Sequence, residues 1–305
     1  MSDKKYTLEE YVFRDLRKAY EFQSVMKKHG DSIDPIEMIK EYRKMSKSCD
    51  AEKWGYALAS YRNYPCFYKN PKYVFKDSDN MFYEYLKEEE VRQIKISADT
   101  LTGPIGLMFY ADKLIEDKSV NEVKKDELRS TLRDFCSVAY TIGNFCPVMK
   151  NKGGRPNKEG AVVSDSCWNK LNRFHNTKKN HIFQNFIDYD WKDNESKRCA
   201  NNMFAVFPVN LSGRVIVDEL MLNDYYDDDY NLIIKKTPQE YANLGVDAYI
   251  DFLRLVTSII IKRGIRIYRK NDLRGINIDK LADKIITRKK AEISGKTEFD
   301  CKYSR

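Results

Sequence analysis

The sequence has only three histidines, at 29, 175 and 181, and seven cysteines without a single Cys-x-x-Cys pair. A disulfide framework draws on an even set of cysteines, and a structural zinc site on closely paired Cys or His, so neither is written here. The simplest reading is seven reduced thiols in a cytoplasmic protein, where free cysteine behaves as a small buried hydrophobe. A Cys/His nucleophile needs a neighbouring base, and Cys167 is the cysteine nearest in sequence to His175 and His181. Long apolar runs are missing too. The best is Leu255 to Ile261, interrupted by Thr257 and Ser258, far short of the roughly 20 residues a membrane-spanning helix needs. The first residues, Met-Ser-Asp-Lys-Lys-Tyr, are charged and lack the apolar core of a secretory signal.

Familiar catalytic punctuation is equally scarce. There is no Gly-x4-Gly-Lys-Ser/Thr, no Gly-x-Gly-x-x-Gly, no Gly-x-Ser-x-Gly, no His-Glu-x-x-His and no kinase signature. The densest acidic supply is Asp218, Glu219, Asp224, Asp227, Asp228 and Asp229. Its spacing lacks the central glycine and terminal glutamate of a calcium loop. It reads as a solvated turn, or as a Mg²⁺ site of a phosphodiester- or nucleotide-processing enzyme. No cofactor or other metal is indicated.

What is present is an aromatic-rich chain of 305 residues, with 21 Tyr and 15 Phe, too apolar to stay disordered. Thr7 with Glu10 forms a capping box that opens a helix with Leu8, Tyr11, Val12, Leu16, Ala19 and Tyr20 on one stripe, ending at Gly30-Asp31. Asp34-Pro35 caps a second helix over 36–45, making a helical hairpin. Residues 54–85 carry Pro65 and Pro71 among many rings and read as loops and short strands, and 90–100 as a strand. Helices are expected over 126–140, over 215–226, from the Thr237-Pro238-Gln239-Glu240 start, and over 246–269 with Tyr249, Phe252, Leu253, Val256, Ile260 and Ile267 inward. The fold class expected is mainly α with a minor β component (α+β): one helical domain over 1–270 with short strands around 65–100, then a basic region over 271–305.

Charge is uneven. The net +8 of the chain equals the balance of residues 262–305 alone, where 14 basic residues face 6 acidic ones. One reading is a solubilising tail. The other is a contact with a polyanion, in which each Lys or Arg that neutralises a phosphate releases counterions. Arg263, Arg266, Arg269 and Lys270 fall at helical spacing, and Arg288, Lys289 and Lys290 form a cluster. A second basic element is the glycine-rich loop at 150–160, with Lys150, Lys152, Arg155 and Lys158. Its Gly154-Arg155-Pro156 resembles the core of an AT-hook, whose arginine lies in a narrow minor groove. Arg129, Arg133 and Asn144 are candidates for a pocket around a phosphate if the fold brings them into one cleft.

The stretch Tyr140-Thr141-Ile142-Gly143-Asn144-Phe145-Cys146-Pro147-Val148 resembles the core signature of an uncharacterised family of bacterial and phage proteins of similar length. Ile94 to Thr100, Val217 to Tyr230, and Lys262-Arg263-Gly264-Ile265-Arg266-Ile267 are similar to that family in the same order. The resemblance implies one folding unit and brings no assigned activity. Ile142-Gly143-Asn144 is also similar to the Gly-Asn-Leu element of His-Asn-His nuclease modules, but their upstream histidine has no counterpart between His29 and His175. These readings lead to a protein associated with nucleic acid, DNA or RNA, or with a complex that handles it, in phage–host conflict. The alternatives are the metal-dependent enzyme above and a protein inhibitor whose partner would be another protein. No membrane contact is expected.

Overall fold

The computed structural model describes residues 6–16, 27, 34–45, 73–76, 81–87, 90–94, 96–149, 218, 220–229, 233–270 and 272–293. Their fold is mainly helical. In chain order the helices are α1 (Leu8–Val12), α2 (Pro35–Met45), α3 (Pro104–Glu116), α4 (Glu122–Val138), α5 (Pro238–Asn243), α6 (Val246–Arg269) and α7 (Ile278–Ile293). Backbone pairing joins β1 (Tyr73–Lys76), β2 (Met81–Lys87) and β3 (Glu90–Ile94) in an antiparallel set, and β4 (Ile96–Thr100) antiparallel to β5 (Phe145–Met149). The 90–100 stretch is thus two segments serving different partners. The loop at 150–160 and all of 54–72 lie outside the described residues.

α6 is the spine. It packs against α1, α4, α5 and α7 and against the short 3₁₀ turns Ile142–Asn144 and Asn223–Tyr225. Its inward residues Tyr249, Phe252, Leu253, Val256, Ile260 and Ile267 are all buried. Each such ring or branched chain contributes about 1.5–3 kcal/mol by leaving water. α6 starts after Gly245, whose φ of 107° suits glycine, and stops at Lys270 in the left-handed conformation. Facing it, α4 presents Leu128, Leu132, Phe135 and Cys136, while α3 adds Leu107, Met108 and Ala111. Tyr249 spans the gap, its hydroxyl donating to the Leu107 carbonyl at 2.8 Å. Burial holds that phenol well above its ordinary pKa, so it remains a donor.

Local capping accounts for the helix starts. Thr7 and Thr237 each close a full capping box with the glutamate three residues on, and Asn121 caps α4 through the Lys124 amide. α4 therefore begins four residues before the expected 126. Two expected helices differ. The first breaks after Val12, where the Leu16 amide donates to the Tyr140 carbonyl at 2.9 Å and not up its own helix, and Lys27 is helical again. In 215–226 the described residues are helical at Asp218 and then turn: Met221 has φ 53°, and Asn223–Tyr225 is 3₁₀. The apolar run Leu220-Met221-Leu222 is buried as a turn, which a hydrophobic pattern does not distinguish from a helix.

α7 lies beyond 270, in a stretch whose composition shows only polarity and charge. It docks by Ala282 and Ile285, with Leu281 and Ile286 at the margin. Two ion pairs bracket that stripe, Lys262 to Asp279 at 2.5 Å and Arg288 to Glu9 at 2.6 Å. The hydrogen bond and charge of Lys262 hold the Asp279 carboxyl below its ordinary range. A lowered carboxyl pKa stabilises the fold above the unfolded value of about 4 and is lost as pH falls through the folded one. Asp112 has the opposite sign, raised chiefly by burial, so its protonation in acid favours the fold. Acid is expected to loosen α7 below about pH 4, by less than about 1 kcal/mol because Asp279 is mostly exposed. Asp279→Asn should flatten the pH dependence of hydrogen exchange in α7 over that range.

Candidate functional site

The most heavily bonded polar cluster among the described residues surrounds the turn after α4. Thr141 closes that helix with its hydroxyl on the Val138 carbonyl at 2.9 Å. The 3₁₀ turn then lays Gly143 against the backbone of α6. A Cβ on Gly143 would fall 1.9 Å from the Ile260 oxygen and 2.9 Å from its carbonyl carbon, so only glycine fits. Asn144 is fully buried. Its Oδ1 accepts from the Thr102 amide at 2.9 Å, and its Nδ2 donates to the Thr102 and Ala139 carbonyls at 2.9 and 2.6 Å. Its own carbonyl accepts from the Leu101 amide at 2.6 Å. One side chain thus ties the end of α4 to the lead-in of α3.

Arg263 completes the cluster from α6. It is 0% exposed, the largest fully buried side chain among the described residues. Its Nη1 donates to the carbonyls of Gly143 and Phe145, both at 2.7 Å, while Nε and Nη2 share the Leu220 carbonyl at 3.3 and 3.1 Å. A planar fork of donors suits this role, since three carbonyls from two chain segments are met without any being left bare in the interior. Next along the helix, Arg266 grips Asp224 with two bonds, 2.6 and 3.1 Å. Arg269 is exposed, with Tyr268 beneath it at 6.0 Å from guanidinium to ring centre. Each step of three residues turns a helix by about 60° backwards. The row 263, 266, 269 therefore rotates from core to solvent and does not share one side.

The other candidates are placed as follows. Lys270 is exposed at the C-cap of α6. Arg288 is paired with Glu9, and Lys289 sits 5.6 Å from the Phe13 ring centre. Lys290 lies within α7, with its side chain outside the described residues. Lys150, Lys152, Arg155 and Lys158 lie outside the described residues. Arg129 bonds Asp126 at 2.6 Å on the outer side of α4, and Arg133 bonds Asp34 at the start of α2. Arg129, Arg133 and Asn144 therefore have separate partners, and Asn144 has no solvent face from which to meet a substrate. Asp224 is held by Arg266, Asp218 accepts from the Asn223 amide, and Asp228 is exposed. No group of three or more His, Cys, Asp or Glu that could hold a metal occurs among the described residues.

Sequence reasoning finds Gly143, Asn144 and Arg263 but not their partners Thr102, Leu220 and Ile260, which act through main-chain atoms any residue would supply. The arrangement is architectural: it fixes a turn to a helix. Asn144→Asp removes two amide donors and sets a carboxylate against two carbonyls, with an expected cost of about 2 kcal/mol. A urea midpoint that falls at unchanged m-value would register it. A side chain serving only a ligand would leave that midpoint where it is.

No protein-family model, no curated protein and no solved structure matches the chain. No helix among the described residues is long and apolar enough to cross a membrane.

Proposed function

We propose that the protein binds nucleic acid, or a nucleic-acid-handling complex, through phosphate contacts made by its C-terminal basic region. The observation that supports this is the sorting of cations along α6 and α7. Arg263 is buried and Arg266 is paired, while Arg269, Lys270, Arg274, Lys280 and Lys284 stand exposed on the last turn of α6, the following turn and α7. Arg274 has Asp272 only at 3.6 Å and is almost fully exposed, a pair weak enough for a phosphate to displace. Asp272 and Asp283 among them temper the field, so the binding is shallow, salt-sensitive and without base readout. The same reading takes the protein as cytoplasmic, and takes the paired strands as a minor β component beside a helical body. Asp224, one of the carboxylates the Mg²⁺-enzyme alternative would use, has both oxygens engaged by Arg266.

Fluorescence anisotropy of the full chain on short duplex DNA, duplex RNA and single strands tests this. With three or four phosphates neutralised, affinity should fall about 40- to 150-fold between about 50 and 200 mM salt. The triple reversal Arg269→Glu, Lys270→Glu, Arg274→Glu should reduce the slope while leaving the fold intact. Absence of binding at the lower salt, or binding indifferent to salt, would sink the proposal.

A further inference from the structure

The chain passes Met149 and is described again from Asp218, and the two edges of that interval meet on one side chain. Arg263 holds the Phe145 carbonyl four residues before the interval and the Leu220 carbonyl two residues after it. The parts on either side, 6–149 and 218–293, are joined along the whole of α6 by interactions of different kinds. At its start, Lys124 meets Asp247 at 2.7 Å, Arg254 meets Glu127 at 2.7 Å, and the Tyr249 hydroxyl reaches Leu107. At its middle, Gly143 rests on the Ile260 carbonyl. At its end, the Tyr268 hydroxyl donates to the Tyr6 carbonyl at 3.0 Å, and α7 pairs with Glu9. The buried apolar residues are likewise drawn from both parts: Leu128, Leu132 and Phe135 from one, Phe252, Leu253 and Val256 from the other.

We infer that 6–149 and 218–293 make a two-part core that stays assembled without the covalent connection through 150–217, and that Arg263 is the positioning residue clasping the two edges. Joining two parts that already contact each other by a chain contributes loop-closure entropy, which changes slowly with length. Its loss lowers the effective concentration of one part near the other from the millimolar range to that of the solution. A seam in which α6, with Tyr249, Phe252, Leu253, Val256 and Ile260 buried, packs on α4 and the Ile142–Asn144 turn outweighs that change at micromolar protein. The clasp holds the edges in register, so that β5 and the Leu220 turn leave and return at one point.

The test uses the full chain with two sites for a specific protease, one replacing residues 152–157 and one inserted after Asn210, cleaved in native buffer. After complete cleavage the N- and C-terminal fragments should co-elute as a one-to-one complex at about 10 µM and keep their far-ultraviolet helix signal. Fragments that separate, or lose helicity, would overturn the two-part core. Arg263→Lys keeps the charge without the fork and should make the cut complex dissociate about 10-fold more readily; an unchanged dissociation constant removes the clasp. Should that variant fail to fold, hydrogen exchange in the uncut wild type decides the same point. Amides of 141–146 and 220–226 are expected to open together with one denaturant dependence, and independent opening contradicts the clasp.

Discussion

Replacing Arg263 by methionine is expected to lower stability by about 3–5 kcal/mol, enough to take most of the margin of a typical domain. The side chain is fully buried and bonds three main-chain carbonyls. Methionine fills much of its volume but offers no donor, so the carbonyls of Gly143, Phe145 and Leu220 lose a charge-assisted partner at once. A bare buried acceptor costs about 1–3 kcal/mol, and a bond from a charged donor is worth about 1.5–3 kcal/mol. Relief from burying the cation offsets part of the sum, which is why the expected loss is below the total of the parts. Arg269→Met is the control: the same chemistry on the exposed end of the same helix should move the urea midpoint by no more than about 0.5 kcal/mol. Equal effects from the two would mean that Arg263 is not the tie the geometry describes.

Gly143→Ala is expected to cost at least about 3 kcal/mol, above the usual 1–3 kcal/mol of overpacking, and to appear first as loss of soluble protein. The added methyl meets the Ile260 carbonyl and lies 3.1 Å from the Gly264 amide nitrogen. These are backbone atoms of a helix, so relief requires moving α6 away from the turn, which strains the Arg263 bonds as well. Gly264→Ala provides the contrast within the same contact. Its Cβ would find the Val12 methyls at 3.4 and 3.5 Å, ordinary van der Waals distance. Glycine inside a helix costs about 1 kcal/mol relative to alanine. This second substitution should therefore be neutral or stabilising by up to about 1 kcal/mol. Thermal unfolding of both variants on one preparation compares them directly.

Elements with local causes were legible in the sequence. Thr7, Asn121 and Thr237 satisfy amides three residues ahead, and the first and last of these boxes can be read from the residues alone. α6 carries its period through 24 residues, so its limits and inward face follow from the pattern. The apolar stripe of the first helix runs on to Tyr20 without a mark at Val12, because the amide that breaks the helix there bonds Tyr140, more than a hundred residues away. α3 has Pro104 at its first turn and Leu107, Met108 and Ala111 at helical spacing, but it starts after Gly103 without a side-chain cap, so its start carries little local signal. Among the candidate site residues, type was readable and orientation was not. Arg263, Arg266 and Arg269 are alike in a sequence, and only rotation about the helix axis separates a buried tie from an exposed phosphate ligand. Asn144 bonds the Ala139 carbonyl five residues behind it, a local contact, but its bonds to Thr102 have no local signature.

The dependence of α4 on α6 also has a meaning in time. Arg269 is made more than a hundred residues after Val138, and at about 5–20 residues per second the delay is on the order of 10 s. A helix of this length forms within about a microsecond, so Leu128, Leu132 and Phe135 are ordered into an apolar seam long before its cover is synthesised. During translation that seam is an apolar surface still without its α6 cover. Soluble yield will follow whatever shields it in those seconds, and slower growth or a chaperone that holds apolar helices acts there, ahead of any property of the finished fold.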